Sequence, residues 1–450
     1  MQDEKRVFVG TEKNTSYIFI PFRYTEPEDF EVLCDILKSN EEWKCIDEKI
    51  QYMLKYVADK IVGKKNGNSQ CVHFELTDYG LNRNGLNFPN DLWHTVQHVY
   101  GGEETCFRFH IISVQLYCFN TTVCILAFRL RFETEDPLRI SAAQYYLKKV
   151  SREKILHEGD KLEKQGTTFL EISRQLMSHL KFPREFIFFF YANPSTERAN
   201  LLTYLEVEEK DDYRYELFYL RRCYGEGYLY YEDREADERE IYHATSDVVW
   251  GLSPEAAVCL ACPYKGRKEF IRQTLFKNFN EQYLFMYILL LHQKYVLYMF
   301  LTMIDAEMHS DLEVLEDYRR RLYEFETDFV FSCVTEVPQY RNLYDRMSEA
   351  FSLRNMYEDV KEPLTSLAEV RRNDMEKRQN QRDKKVNRAL FLLSVLSFFS
   401  ALIDGFDFVE AFGSLFLAQR VIMPIQTVLV LGILGVLVYV FFVLFSNKGE

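Results

Sequence analysis

The stretch TVLVLGILGVLVYVFFVLF, Thr427 to Phe445, is 19 consecutive residues without a charge. As an α-helix it is roughly 28 Å long, against a bilayer hydrocarbon core of about 30 Å. It predicts a transmembrane helix near the end of the chain. Upstream, Ala389 to Ile403 is also apolar but only 15 residues long, and it carries Ser394, Ser397 and Ser400. A short, serine-bearing span suits a position where partner helices rather than lipid surround it. The pair predicts a hairpin: a first span, an external loop over 404–420 and a second span over 421–446.

Charge sets the orientation. Between Pro363 and Ala389 stand eight basic residues, Arg371, Arg372, Lys377, Arg378, Arg382, Lys384, Lys385 and Arg388. The connecting loop holds Asp404, Asp407 and Glu410, with Arg420 at its far end. Basic flanks stay inside, so the chain is expected in the cell's inner membrane with both termini cytoplasmic and the acidic loop outside.

The segment feeding the first span reads as a helix starting at Glu362-Pro363, where Ser366 and Glu369 form a capping-box pattern. No Pro or Gly follows until Gly405, so a helix over 363–403 is expected. From Leu364 to Arg388 twelve positions are charged, and such a helix buries too little to stand alone. It is either a solvated linker or a stalk packed around a symmetry axis with copies of itself.

The chain has 450 residues, 47% of them hydrophobic, and a formal charge of -13. It can bury a sizeable core, and its acidity argues against binding nucleic acid, which needs a surplus of Lys and Arg. Its first residues lack the apolar core of a signal peptide. Residues 1–270 read as a mixed α/β cytoplasmic domain. Tyr17 to Pro21 and Cys71 to Glu75 are strand candidates. Phe107 to Phe119 and Thr122 to Phe132 form a hairpin around Asn120-Thr121, while Ser141 to Val150 and Phe169 to Leu180 read as helices. Glu185 to Tyr231 is expected to add strands, with turns at Ala192-Asn193-Pro194 and Gly225-Glu226-Gly227. Residues 271–362 read as long helices. Tyr283 to Ile304 is apolar enough to span a membrane, but His292-Gln293-Lys294 at its centre is costly in lipid and points to a buried soluble helix. It is expected to continue through Asp305 to Phe331 and end before Pro338.

Other constellations weigh less. Cys259 and Cys262 have CxxC spacing without a second pair, so packed thiols are the better reading. His94 and His98 stand four apart without further metal ligands, which favours a surface pair. The acidic runs Glu206 to Asp212 and Glu232 to Glu240 read as solvated loops. No nucleotide-binding or hydrolase motif is present, and an enzyme is not expected. In the first span, Ser394, Ser397, Ala401 and Asp404 follow helical spacing and are small or polar. They are candidates to line a pore, with close helix packing as the alternative.

This order of elements resembles the CorA family of divalent-cation channels. The family's first span ends in a pattern like Ile-x-Gly-aromatic-x-Gly-Met-Asn-Phe; here stands Ile403-Asp404-Gly405-Phe406-Asp407-Phe408-Val409-Glu410. Gly405 matches the first glycine, and Phe408-Val409-Glu410 replaces Gly-Met-Asn. The resemblance implies a homopentamer in the lipid bilayer, with the first span lining the pore and Gly405 to Glu410 at its mouth. It also implies Mg²⁺ or another divalent cation as cargo, with Asp404, Asp407 and Glu410 as substitute ligands. Arg378, Arg382, Lys384, Lys385 and Arg388 resemble the family's basic collar. A branch without Gly-Met-Asn, with enlarged soluble domains, is encoded beside type III CRISPR systems and looks like a set of antiviral effectors gated by a nucleotide messenger joining S-adenosylmethionine to AMP. Three readings follow: a ligand-gated cation channel, such an effector, or a membrane tether without a pore.

Overall fold

A computed structural model describes residues 14–47, 50–62, 69–86, 93–100, 103–157, 166–190, 198–225, 227–263, 267–306 and 312–416, with single positions between 427 and 439. The turn expected at 192–194, most of the second span and the tail at Lys448 lie outside the described residues. The chain divides into two compact units, Met1–Thr365 and Ser366–Glu450.

Among the described residues, the first unit is built on a 12-stranded sheet. Its strands are β1 (Thr15–Arg23), β2 (Trp43–Ile46), β3 (Cys71–Leu76), β4 (Trp93–Tyr100), β5 (Glu103–Phe119), β6 (Val123–Phe132), β7 (Ile155–His157), β8 (Ile187–Phe188), β9 (Asn200–Glu206), β10 (Ile241–Thr245), β11 (Val248–Leu252) and β12 (Ala256–Ala261). The main path runs β10-β11-β12-β9-β1-β6-β5-β3-β2, with β4, β7 and β8 to the side. Pairing is antiparallel except where β9 meets β12. The predicted hairpin is β5–β6, paired from Phe109 opposite Phe132 to Cys118 opposite Cys124, with a one-residue register shift between Ile111 and Ser113. Both faces of β6 are buried because alternate side chains enter different layers. Cys124, Leu126, Phe128 and Leu130 enter one apolar cluster. On β1, Phe19 faces the opposite layer and packs 5.2 Å from Tyr287 between ring centroids.

The helices are α1 (Asp29–Ser39), α2 (Lys55–Ile61), α3 (Asp78–Arg83), α4 (Pro137–Leu147), α5 (Phe169–Ser178), α6 (Arg214–Leu220), α7 (Arg234–Glu240), α8 (Phe276–Asn278), α9 (Leu284–Ala306), α10 (Leu312–Phe329), α11 (Pro338–Ala350) and α12 (Leu353–Phe416). Helix α5 carries the capping box of Thr168 and Glu171. Two π-helical turns flank α8, Phe270–Leu275 and Phe279–Tyr283.

The predicted soluble helix is α9, and its three central polar residues each find a partner. His292 Nε2 lies 2.6 Å from Thr121 Oγ1. The Gln293 amide donates to the Phe329 carbonyl and the Tyr344 hydroxyl. Lys294 Nζ donates to Asn200 Oδ1 at 3.0 Å, and burial pushes its pKa down to about 8.

Several expectations change. The charged stretch after Ile304 does not extend α9: α10 runs back along it, with Phe329 4.5 Å and Phe325 6.1 Å from the His292 ring. Burying those two rings on α9 outweighs continuing a helix into water. The helix expected from 363 begins at Leu353 and passes through Pro363. Pro363 removes one ladder bond, but Val360 and Leu364 are fully buried on either side and hold the turn. Residues 234–240 are a helix rather than a solvated loop. Glu206 is buried at the end of β9 and pairs with Arg272 at 3.2 Å. Of the runs in 185–231, β8 and β9 join the sheet while 214–220 is helical.

Candidate functional site

Two features are candidates: the apolar part of α12 in the second unit and a cavity in the first.

Helix α12 is uninterrupted to Phe416. Residues 404–416 are therefore helix, not the expected loop. A lone glycine costs a helix only about 1 kcal/mol, and Gly405 keeps a helical backbone without a positive φ. The stretch 389–416 is then about 42 Å long, enough to cross the hydrocarbon core. Its first part, 389–403, is apolar yet uncovered: Leu393 is 59% exposed and Leu396 65%. The described residues between 427 and 439 are also helical, with Val428 70% exposed.

The register of α12 sorts the predicted site residues. Ser394, Ser397, Ala401 and Asp404 fall within an arc of about 80° at 100° per residue. The Ser394 hydroxyl donates to the Leu390 carbonyl at 2.9 Å, so its hydrogen is already satisfied within the helix. Gly405, Phe406, Asp407, Phe408, Val409 and Glu410 continue the helix. Asp404, Asp407 and Glu410 turn by about 60° at each step, so these positions do not face one axis together as a loop-borne ring would. The side chains of Phe406, Val409 and Glu410 lie outside the described residues.

The arc belongs to a longer seam. Positions 369, 373, 376, 380, 383, 387, 390, 394, 397, 401 and 404 alternate in steps of four and three, the spacing that keeps one face of a helix toward a common axis. They read Glu369, Asn373, Glu376, Asn380, Asp383, Asn387, Leu390, Ser394, Ser397, Ala401, Asp404, and not one is basic. The expected collar lies elsewhere. In the seam's own register of about 3.5 residues per turn, Arg378 and Lys385 lie about 180° from its centre, Arg382 and Arg388 about 130°, and Lys384 about 80°. The sequence showed the arc from Ser394 to Asp404 but not its continuation through 369–390, where charge was weighed per segment and not per face.

In the first unit a cavity of about 110 Å³ opens between the β5–β6 turn, α9 and α10. Met299, Phe300 and Phe325 form its apolar wall; Asn120, Thr121 and Glu324 are among its polar groups. The turn is strained: Thr122 has φ 79°, a left-handed conformation rare for a β-branched residue. Tyr24 holds it, its N–H donating to the Thr122 carbonyl and its hydroxyl to the Phe119 carbonyl. His292 stacks on Phe119 at 3.8 Å, and burial keeps its pKa well below the usual value. On α10, next in sequence to the cavity residue Phe325, Glu326 pairs at 3.5 Å with Lys361 of α12. Just before α12, Ser352 takes φ 55° and forms the sharp joint with α11.

A wider cleft of about 950 Å³ has Glu28, Glu31, Asp35 and Asp47 in its walls against Lys38. All ten cysteines are free, and Cys259 and Cys262 are buried thiols. His94 and His98 are on strand β4, not a helix, and their side chains lie outside the described residues. Among the described residues no group of three His, Cys, Asp or Glu is arranged to hold a metal ion. Comparison with protein families, with curated proteins and with solved structures returns no match for this chain.

Proposed function

We propose that the chain is the subunit of a CorA-like homopentameric cation channel in the cell's inner membrane, both termini cytoplasmic, gated by a ligand at its soluble domain. The observation that carries this reading is the seam. A helix with carboxylates, amides and hydroxyls at coiled-coil spacing cannot close its interface by burying apolar side chains. Copies placed around an axis enclose water instead, and the enclosed groups favour cations. The exposed apolar flanks of 389–416 meet lipid and the second apolar run.

Gating enters through α10, which lines the cavity and contacts the root of α12 through Glu326 and Lys361. A ligand there shifts the channel only by its differential affinity for two positions of α10. The 950 Å³ cleft is large enough for a dinucleotide, but its carboxylates oppose a phosphodiester, so no observation favours the nucleotide-gated effector over other ligand-gated schemes.

Ion flux in proteoliposomes tests the reading. Potassium or Mg²⁺ is expected to pass in preference to chloride, and Ser394→Arg is expected to lower cation flux at least tenfold while assembly persists. Chloride flux equal to cation flux, or no flux from well-inserted protein, rejects it.

A further inference from the structure

The same register that builds the seam leaves a basic face on its far side. Lys385 and Arg388 lie about 130° to 180° from the seam's centre and Lys384 about 80°, on its flank, all within roughly 8 Å of Ala389 along the helix axis. All three are exposed. The seam's Asp383 is turned away from them. Asp374 shares their face but stands more than two turns further from the apolar run, so no near carboxylate on this face of the helix neutralises the patch.

We infer that Lys384, Lys385 and Arg388 form a docking surface for anionic phospholipid headgroups of the cytoplasmic leaflet. The inference rests on the proposed crossing of the membrane by 389–416. The headgroup layer is about 5 to 8 Å deep on each side of the hydrocarbon core, which is the depth these three positions occupy. Their long side chains reach laterally along it while the apolar stems stay against the helix. Charge complementarity selects phosphate-bearing lipid of net negative charge over zwitterionic lipid, because a neutral headgroup offers no net field to a cluster of three cations. The patch anchors the outside of α12 to the leaflet and leaves the seam's own positions without a basic residue. A collar lining the axis would do neither.

The test uses the full chain in detergent, with native mass spectrometry after adding phosphatidylglycerol or phosphatidylcholine. Phosphatidylglycerol is expected to be retained at least tenfold more tightly. Lys384→Gln/Lys385→Gln/Arg388→Gln together should remove that preference. Arg371→Gln, on the same side of α12 but roughly 27 Å from Ala389, should keep it. Equal retention of the two lipids, an unaltered preference in the triple variant, or displacement of the lipid by millimolar inorganic phosphate overturns the inference. Cation flux through the same proteins reconstituted in proteoliposomes separates the two ideas. Lost flux with the lipid preference intact sinks the channel alone, whereas persistent flux without the preference sinks the docking surface alone.

Discussion

Helix α9 and the α12 segment 389–416 present the same problem to water and solve it oppositely. Both belong to helices long and apolar enough to cross a membrane. Within the most apolar window of each, 83% of α9 is buried and none of α12. Apolar composition therefore says that a segment must leave water, but not what it will meet. The polar residues carry that information. In α9 they sit together as His292, Gln293 and Lys294, and each meets a specific tertiary partner. In α12 they are spread as Ser394, Ser397 and Asp404 along one face, where a register and not a partner is specified.

The contrast breaks most directly under truncation. Leu289 is fully buried in α9, and Leu289→Ala is expected to cost about 2 to 5 kcal/mol of stability in the sheet unit. Leu393→Ala, in the exposed stretch, is expected to change that stability by less than about 0.5 kcal/mol. Denaturant unfolding followed by fluorescence of the buried Trp250 distinguishes them. Equal effects would mean that 389–416 packs as a core helix after all.

Acid gives a smaller and more local effect. His292 binds its proton less readily in the folded chain than in the unfolded one, where its value is near 6.5. Between those two values the unfolded state holds more protons, so stability is present above about pH 6.5 and is lost as pH falls below it, by up to about 1.4 kcal/mol per unit. Replacing His292 with Gln, which keeps a hydrogen-bonding group toward Thr121, should flatten that part of the profile. An unchanged slope would place the acid sensitivity elsewhere.

Gly405 offers the smallest shift and sharpens the account of the membrane segment. A Cβ added there meets nothing within 4 Å. If 401–409 is helix as described, Gly405→Ala should strengthen it by about 1 kcal/mol, slowing local amide exchange roughly fivefold. Faster exchange would show that the glycine serves a turn, as the family pattern implies.

Local patterns were readable wherever neighbours in sequence are also neighbours in space. The β5–β6 hairpin, the buried nature of α9 and the apolar stretches near the C-terminus follow from alternation, turn residues and run length, since each depends on a few adjacent side chains. The start of α12 was misread because Pro363 and Ser366 carry a local start signal, and burial of Val360 and Leu364 overrides it. The parallel pairing of β9 with β12 and the folding of α10 back onto α9 needed contacts between residues far apart in the chain. The cavity beside Thr122 depends on three such elements meeting at once. The seam is intermediate: its residues were always in the sequence, but only an unbroken helix through Gly405 gives them one register. Sequence by itself determined which segments must be covered and by what kind of surface. Tertiary structure decided which of them the protein covers with its own side chains, because that choice depends on long-range partners that no local pattern encodes.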